Sequence, residues 1–359
     1  MATMFALMLV AIGGNYLFRN KQPDSNISYY HYNVGQNKLE VYDSLNHLLW
    51  SAPTPLAEDA AITEKELRRT YTIIMDLAGR GENSLVTTLP LGKMKHSSEV
   101  QVYKKDGKLV EHRSFENTKF SFLRTQYDGP FIPSDLVLFG STGTAHTVIV
   151  SASTGRSPNI AARLDSSLGV LGRFWHYGSL SPYRVDSVAG VGSALVLIGQ
   201  NDVSDATDRT FCVMIIVDPG KIVNDQESSA TKGFGLASSD AELYYVRFPR
   251  TDMEMVSNQF VIPQRVDDLG ASALSVKLQT RVNQLSGPNQ SGFDYFFSKK
   301  DLRVIDVRFN TPTERTHRIL KRQGKIHSQF DRSYLENLKG RVSYWDGAKW
   351  IPVPTRIPH

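Results

Sequence analysis

Short apolar strands separated by polar turns recur along most of the chain. An apolar pair, a polar turn and a second apolar pair begin at Val41, Val102 and Arg163, so successive copies start 61 residues apart. Each copy predicts a β-hairpin. A fixed period of this kind indicates one supersecondary unit that is repeated along the chain.

A second element alternates with these hairpins. Polar turns that contain glycine, at residues 76–83, 140–146 and 186–192, each lead into an apolar strand. The two patterns together predict units of about four short strands. Repeated units of this size are typical of a β-propeller, so the sequence predicts an all-β fold with five to six four-stranded blades over residues 29–359.

The second half of the chain departs from the simple pattern in three places. Residues 218–242 form a long polar and glycine-containing insertion, which we expect to project from a rim where function is common. Residues 330–340 predict a short helix that ends at glycine, and residues 344–351 predict a tight hairpin around Asp346-Gly347.

The N-terminal residues predict a short hydrophobic anchor helix. Met4–Phe18 is apolar except for Asn15, and its fifteen residues are shorter than a full membrane span. We therefore expect a membrane anchor at 1–20, a linker at 21–28 and the propeller from 29 onward, with burial as an ordinary core helix as the alternative. Arg19 and Lys21 favour a cytoplasmic body by the positive-inside rule.

Composition is that of a globular protein, with 41% hydrophobic and 21% charged residues. The net charge of +5 is mild, and the basic residues look scattered along the chain. The densest group is first interpreted as a solvated helix or loop face, with contact to phosphates or anionic lipid as the alternative. No aromatic platform interleaves with it, so we do not expect nucleic acid as a partner. The group consists of Arg315, Arg318, Lys321, Arg322 and Lys325.

The sequence offers no pattern that carries chemistry by itself. The single cysteine, Cys212, lies in an apolar strand and is expected to be a small buried side chain. Gly190-Val191-Gly192 lacks the following helix of a nucleotide-binding loop, and there is no nucleophile elbow or closely spaced histidine pair. We therefore expect no cofactor and no metal.

The polar turns before the apolar strands resemble a known repeat. Ile74–Val86, and more weakly Val185–Val196, are similar to the integrin-like FG-GAP (VCBS) propeller repeat. The resemblance covers residues 40–220 and implies a propeller that is usually placed outside the cell, so we expect an extracytoplasmic body.

Calcium binding does not follow from this resemblance. The family's loop carries three alternating aspartates, whose oxygens converge on the ion. Here Asp76 and Asp186 keep only the first position, while Ala78 and a cationic Arg80 stand at the next two positions of the first loop.

Three polar segments are the candidates for a ligand or partner surface. The first follows an apolar strand, the second adds an aromatic patch, and the third ends the next apolar strand. If neighbouring blades align, these loops share a face and could contact a protein or glycan. The alternative is that they are ordinary blade turns, with a tryptophan packed between sheets. The candidate residues are Arg156 and Asn159, then Trp175 and His176, and finally Asn201 and Asp202.

The sequence therefore predicts a non-enzymatic, membrane-anchored propeller that binds or senses a protein or glycan in a bacterial envelope or signalling protein. The competing hypothesis is a propeller enzyme that acts on polysaccharide, a lyase or glycosidase, with acids at the axial channel. Its candidate acids are Asp165, Asp186, Asp202 and Glu242. A third hypothesis is a structural spacer.

Overall fold

The computed structural model describes residues 26–33, 35–54, 71–89, 91, 98–140, 146–155, 157–203, 210–257, 261–280 and 291–358. Within these residues the chain is mostly β-strand and forms six sheets, which confirms the expectation of a sheet-rich fold. The chain divides into two compact units, with unit 1 at 1–113 and 141–146 and unit 2 at 114–140 and 147–359.

The described residues of unit 1 form two sheets of consecutive strands. The three-stranded sheet consists of β1 (Tyr29–Asn33), β2 (Lys38–Tyr42) and β3 (Leu48–Pro53). The four-stranded sheet consists of β4 (Thr72–Met75), β5 (Ser84–Thr87), β6 (Glu99–Tyr103) and β7 (Leu109–Ser114). Their apolar faces share one core that includes Ile27, Tyr32 and Leu85.

Part of the predicted linker belongs to this folded unit. Ile27 is fully buried, and the Ser28 amide donates to the Tyr42 carbonyl at 2.9 Å. The Asn26 side chain bonds to the Gly81 carbonyl and accepts from the Asn83 amide. The folded body therefore includes Asn26, earlier than predicted, because one isoleucine in a polar segment is enough to fix it to the core.

Unit 2 begins with a small hairpin and continues with three larger sheets. The hairpin is β8 (Lys119–Phe122) and β9 (Thr125–Asp128). The first large sheet runs in the order β10 (Ile132–Phe139), β11 (Thr147–Ser153), β12 (Asn159–Leu164), β13 (Val170–His176), β17 (Asn224–Glu227) and β18 (Ala237–Ser238). The second runs β14 (Leu180–Val188), β15 (Val191–Asn201), β16 (Phe211–Val217), β19 (Glu242–Arg247), β24 (Ser343–Trp345) and β25 (Trp350–Ile351). The third runs β20 (Val261–Asp268), β21 (Ala273–Thr280), β22 (Ser291–Ser298) and β23 (Val304–Phe309).

The second sheet is buried on both faces. Along β15, Leu195 and Leu197 join the core shared with the first sheet, whereas Val196 and Ile198 join the core shared with the third sheet. All seven residues of β16 are buried for the same reason. A strand that must satisfy two cores cannot alternate apolar and polar residues, which explains the continuous apolar run that the sequence shows there.

The insertion at 218–242 does not project from a rim, contrary to our expectation. After a 3₁₀ helix (Pro219–Lys221), β17 adds to β13 as a parallel strand, and β18 adds to β17. Many of its polar residues are buried and bonded to one another. The Ser239 hydroxyl, for example, donates to the Gln226 side chain at 2.7 Å. Side-chain hydrogen bonds let a polar segment pack where apolar residues would be expected.

Three helices accompany the third sheet. They are α1 (Asp252–Ser257), α2 (Thr311–Arg322) and α3 (Arg332–Gly340). The predicted helix at 330–340 is confirmed by α3, whose N-cap Asp331 accepts from the Tyr334 amide. The longer α2 was not predicted as a distinct element, although Asn310 caps it and proline stands in its first turn.

The three hairpins of the 61-residue pattern are confirmed and share one turn geometry. In each turn a backbone amide donates to the carbonyl four residues later. The bonds are Asp43 to His47 at 3.1 Å, Lys104 to Lys108 at 3.0 Å and Asp165 to Gly169 at 2.9 Å. The fourth residue of each turn is left-handed, with φ of 65° at Asn46, 76° at Gly107 and 58° at Leu168. A type I turn followed by a left-handed residue explains how three different sequences give the same turn.

We predict that a side chain at the left-handed position of the second turn lowers the stability of the protein. Gly107→Ala should lower the free energy of unfolding by about 1–2 kcal/mol, and its new Cβ would lie 3.0 Å from the Trp50 ring. Asn46→Gly, at the same turn position, should leave stability unchanged or slightly raised. Urea unfolding of the two variants checks this, and equal midpoints for Gly107→Ala and the native chain would contradict it.

Candidate functional site

Most of the predicted site residues are inside the protein. Asn159, Trp175, His176 and Asn201 are at most 3% exposed, and Asp202 is half-buried. Arg156 lies outside the described residues. The four buried side chains are therefore not available to a partner at the surface, and the prediction of an exposed patch made from them is wrong.

His176 and Asn201 do meet, but around a buried tyrosine. The Tyr245 hydroxyl lies 2.8 Å from His176 Nε2, and the Asn201 side-chain amide donates to the same hydroxyl at 2.9 Å. Burial lowers the pKa of His176 to about 3 and raises that of Tyr245. Both rings therefore stay neutral near pH 7, and the cluster joins the last residues of β13 and β15 to the interior of β19 by hydrogen bonds.

Trp175 packs between elements, as the alternative interpretation predicted. Its ring lies 5.4–5.7 Å from the rings of Phe120, Phe131 and Phe234. Asn159 is also structural, because its side-chain amide donates to Ser151 Oγ at 2.9 Å inside the first sheet. These contacts hold both residues inside the protein, and the Trp175 Nε1–H is buried with no hydrogen-bond partner among the described residues.

Glu242 is a fully buried acid that sequence reasoning could not place. Its carboxyl group accepts from the Ser229 hydroxyl at 2.7 Å and from the Ser229 amide at 3.1 Å. Burial raises its pKa to about 7, although the serine hydrogen bonds act in the opposite direction. Glu242 thus fixes the 218–242 segment to β19 and titrates near neutral pH.

The loops around these residues do lie at one end of the sheets. The Ser157 hydroxyl donates to Asp202 Oδ2, and the Asp202 amide donates to the Tyr177 carbonyl at 3.0 Å. The Tyr177 amide in turn donates to Thr231 Oγ1 at 3.3 Å. Gly178 permits this close approach, because a Cβ on it would lie 1.8 Å from the Gln200 carbonyl oxygen.

The tip of the β8–β9 hairpin joins the same end. The Phe122 ring stacks on Tyr177 at 3.8 Å, and the Leu123 amide donates to the Gly233 carbonyl at 2.7 Å. Leu123 itself is 72% exposed and has a left-handed backbone with φ of 55°. A bulky residue in that region is uncommon and strained. We call Leu123, Arg124, Ser157, Tyr177, Asp202 and Lys232 the loop surface.

Sequence reasoning found the loops of this surface but missed its most exposed apolar side chain. Leu123 lies in Phe122-Leu123-Arg124-Thr125, which contains none of the Gly, Asn or Asp residues that normally signal a two-residue turn. Its exposure depends on β8 packing Phe122 inward against Tyr177 and Phe234, which is a tertiary contact.

The two aspartates of the family resemblance, Asp76 and Asp186, make hydrogen bonds within the protein. The Asp76 carboxylate accepts amides of its own turn, including Arg80 N at 3.0 Å, and these bonds lower its pKa. Asp186 lies within β14, and its carbonyl accepts from the buried Lys299 ammonium at 2.8 Å. The same ammonium bonds to Asp268 at 2.6 Å, so a lysine provides the positive charge at this turn.

The acids named for an enzyme each belong to a separate local network. Asp165 accepts amides of its hairpin turn, and Asp186 accepts from Ser193 Oγ at 2.9 Å. Asp202 bonds to Ser157, and Glu242 bonds to Ser229. Within the described part of the chain, no three His, Cys, Asp or Glu side chains are grouped as a metal site.

None of the helices in the described ranges is long and apolar enough to cross a membrane. Met4–Phe18, the predicted anchor, lies outside those ranges.

Comparison with known proteins adds little to this geometry. No protein-family model matches the chain, and no curated protein matches it. Among solved structures it is similar to the crystal structure of BBS1N in complex with ARL6DN, soaked with lead, at 9% identity and a TM-score of 0.28. The match covers 77% of this chain and 92% of that chain. Similarity at this level carries no argument about function.

We predict that Glu242 makes stability depend on pH. Because its pKa rises on folding from 4.5 to about 7, its contribution is complete below pH 4.5 and is lost as pH rises through 7. The difference in unfolding free energy between the native chain and Glu242→Gln should therefore change by about 2.5 kcal/mol between pH 5 and pH 8, in favour of the variant at high pH.

Urea unfolding at several pH values measures this difference. The exposed neighbour Asp240 provides the matched control, since Asp240→Asn removes an acid from the same segment without removing a buried one. A native-minus-Gln difference that stays constant with pH would show that Glu242 does not titrate in this range.

Proposed function

We propose that the chain is a β-propeller binding module that recognises a protein partner through the loop surface. The observation that carries this proposal is the grouping of loops from successive sheets at one end of unit 2. Ser157, Asp202 and Tyr177 are joined there by hydrogen bonds, and Leu123 projects beside them.

The propeller part of the proposal is supported by how the strands are connected. Three sheets contain four strands that are consecutive in the chain, beginning at β4, β10 and β20, and a fourth contains β14, β15 and β16 followed by β19. In unit 2, three of these sheets pack face to face through apolar cores. Successive antiparallel four-strand sheets that stack in chain order are the arrangement of propeller blades. The blade number, ring closure and relation to FG-GAP repeats belong to the same proposal.

A protein partner fits the loop surface better than a glycan. Leu123 is 72% exposed, and its strained backbone persists at a tip where glycine would be free of strain. An exposed apolar side chain flanked by the charges of Arg124, Lys232 and Asp202 resembles the apolar centre and polar rim of protein interfaces. A sugar site would instead present polar groups around an open aromatic face, and Phe122 already covers Tyr177.

We further propose that the module is held at a membrane of the bacterial envelope by residues 1–20, with its body on the outer side. The support is the apolar run Met4–Phe18 and the resemblance of the first turns to an extracellular repeat family. In this arrangement the protein binds or senses its partner and performs no chemistry of its own.

Site-specific photo-cross-linking of the full chain in its own cells tests the binding role. Benzoylphenylalanine in place of Leu123 should give one discrete protein adduct, and Arg124→Glu together with Tyr177→Ala should abolish it. Val353, which is 53% exposed in the C-terminal segment, is the matched control position. No adduct at 123, or the same adducts at both positions, would refute the loop surface as a binding site.

Leu123→Gly separates binding from folding. Removing the left-handed leucine should leave the unfolding free energy unchanged or raised by about 1 kcal/mol, while the captured partner is lost. If the glycine variant unfolds more easily than the native chain, the leucine serves the fold and its exposure is not evidence for an interface.

A further inference from the structure

The positive charge of this protein is concentrated in one helical region. Residues 311–341 contain eight lysines and arginines and three acids, a net charge of +5, which equals the net charge of the whole chain. The rest of the sequence is therefore neutral overall. The basic residues that looked scattered in the sequence are scattered only outside α2 and α3.

On α2 the charges form a stripe opposite the buried face. At 3.6 residues per turn, Arg315, Arg318 and Arg322 lie within about 60° of one another around the helix axis. The buried residues of α2 centre on the opposite side of the helix, with Thr313, Thr316, His317 and Leu320 facing the protein. Lys325, just beyond the helix, is also exposed. We call Arg315, Arg318, Arg322 and Lys325 the basic stripe.

Most of this charge is not neutralised by nearby acids. Arg318 pairs with Glu314 at 2.8 Å, and both side chains are largely exposed. Among the described residues, no ion pair joins Arg315, Arg322 or Lys325 to a carboxylate. The helix dipole accounts for cations in the last turn only, so it explains Arg322 but not Arg315, which lies in the first half of the helix.

We propose that the basic stripe of α2 rests on the anionic headgroups of a membrane, an inference that rests on the proposed membrane anchor at residues 1–20. A row of arginine and lysine side chains complements a surface of phosphodiester groups. Each basic residue close to such a surface contributes roughly a fivefold factor in affinity, so three unpaired cations give about a hundredfold. This gain in affinity is too small to bind a free protein to a membrane, but it is sufficient to orient a protein that is already held there.

Nucleic acid shares the phosphate chemistry and is the competing partner. The stripe is short, about 10 Å from Arg315 to Arg322 at 1.5 Å per residue, and no exposed aromatic side chain interrupts it for base stacking. The predicted anchor at Met4–Phe18 brings the chain to lipid, whereas no feature of the sequence brings it to nucleic acid.

The test uses the full chain reconstituted into liposomes, with a fluorescent probe on Gln323→Cys beside the stripe. Cys212 is buried, so the reagent labels the introduced thiol. Acrylamide quenching of the probe should fall severalfold in phosphatidylglycerol–phosphatidylcholine liposomes relative to phosphatidylcholine alone. About 0.5 M NaCl should reverse the change, and a probe on the exposed Ser238→Cys should not respond to lipid.

Variants that replace charged residues by glutamine test whether the basic stripe causes the protection of the probe from acrylamide. Arg315→Gln, Arg322→Gln and Lys325→Gln together should return quenching to the phosphatidylcholine level. Lys108→Gln, Lys119→Gln and Lys300→Gln remove three exposed charges elsewhere and should leave the shielding intact. Circular dichroism confirms that each variant is folded.

Three results would overturn the proposal. The first is equal quenching of the probe at residue 323 in the two kinds of liposome. The second is a probe that stays shielded from acrylamide in the triple variant of Arg315, Arg322 and Lys325. The third is a stripe-dependent complex with a labelled DNA or RNA oligonucleotide and no response to anionic lipid, which would reassign the stripe to nucleic acid. None of these results bears on Leu123, so failure here is distinct from failure of the loop surface.

Discussion

The double burial of the second sheet of unit 2 is the constraint on which the rest of that unit depends. Its strands carry apolar side chains on both faces, so a sheet must cover each side. The first sheet supplies Phe139, Ile149 and Phe174, and the third supplies Leu274, Phe293 and Phe297. Fully burying one such side chain stabilises the folded state by about 1.5–3 kcal/mol. The stacking of the three sheets follows directly from this requirement.

This stacking decides where function can lie. Strands that are covered on both faces leave only their ends, their outer edges and the added elements for contact with other molecules. The loop surface is a set of strand ends, and the basic stripe is on an added helix. His176 and Asn201, the last residues of β13 and β15, directly precede Tyr177 and Asp202 of the loop surface and are already buried.

Hydrogen bonds between buried polar groups fix the segments and turns that are not fixed by apolar packing. Glu242 fixes the 218–242 segment, Tyr245 joins His176 to Asn201, and Lys299 ties the β14–β15 turn to Asp268. Each group is satisfied by specific partners, because an unbonded buried polar atom is costly. Such contacts give a polar segment one defined position, which explains why the insertion packs as strands.

Local patterns in the sequence determined the strands, the hairpins and the capped C-terminal helix. The 61-residue echo marks turns with one shared geometry at Asn46, Gly107 and Leu168, because turn conformation depends mainly on neighbouring residues. Only the tertiary structure decided which polar residues are buried. Trp175, His176 and Leu123 all lie at strand ends, and the sheets packed against them determine that two are covered and one is exposed. The basic stripe likewise needed the buried face of α2, since charge along a sequence does not specify which side of a helix meets the core.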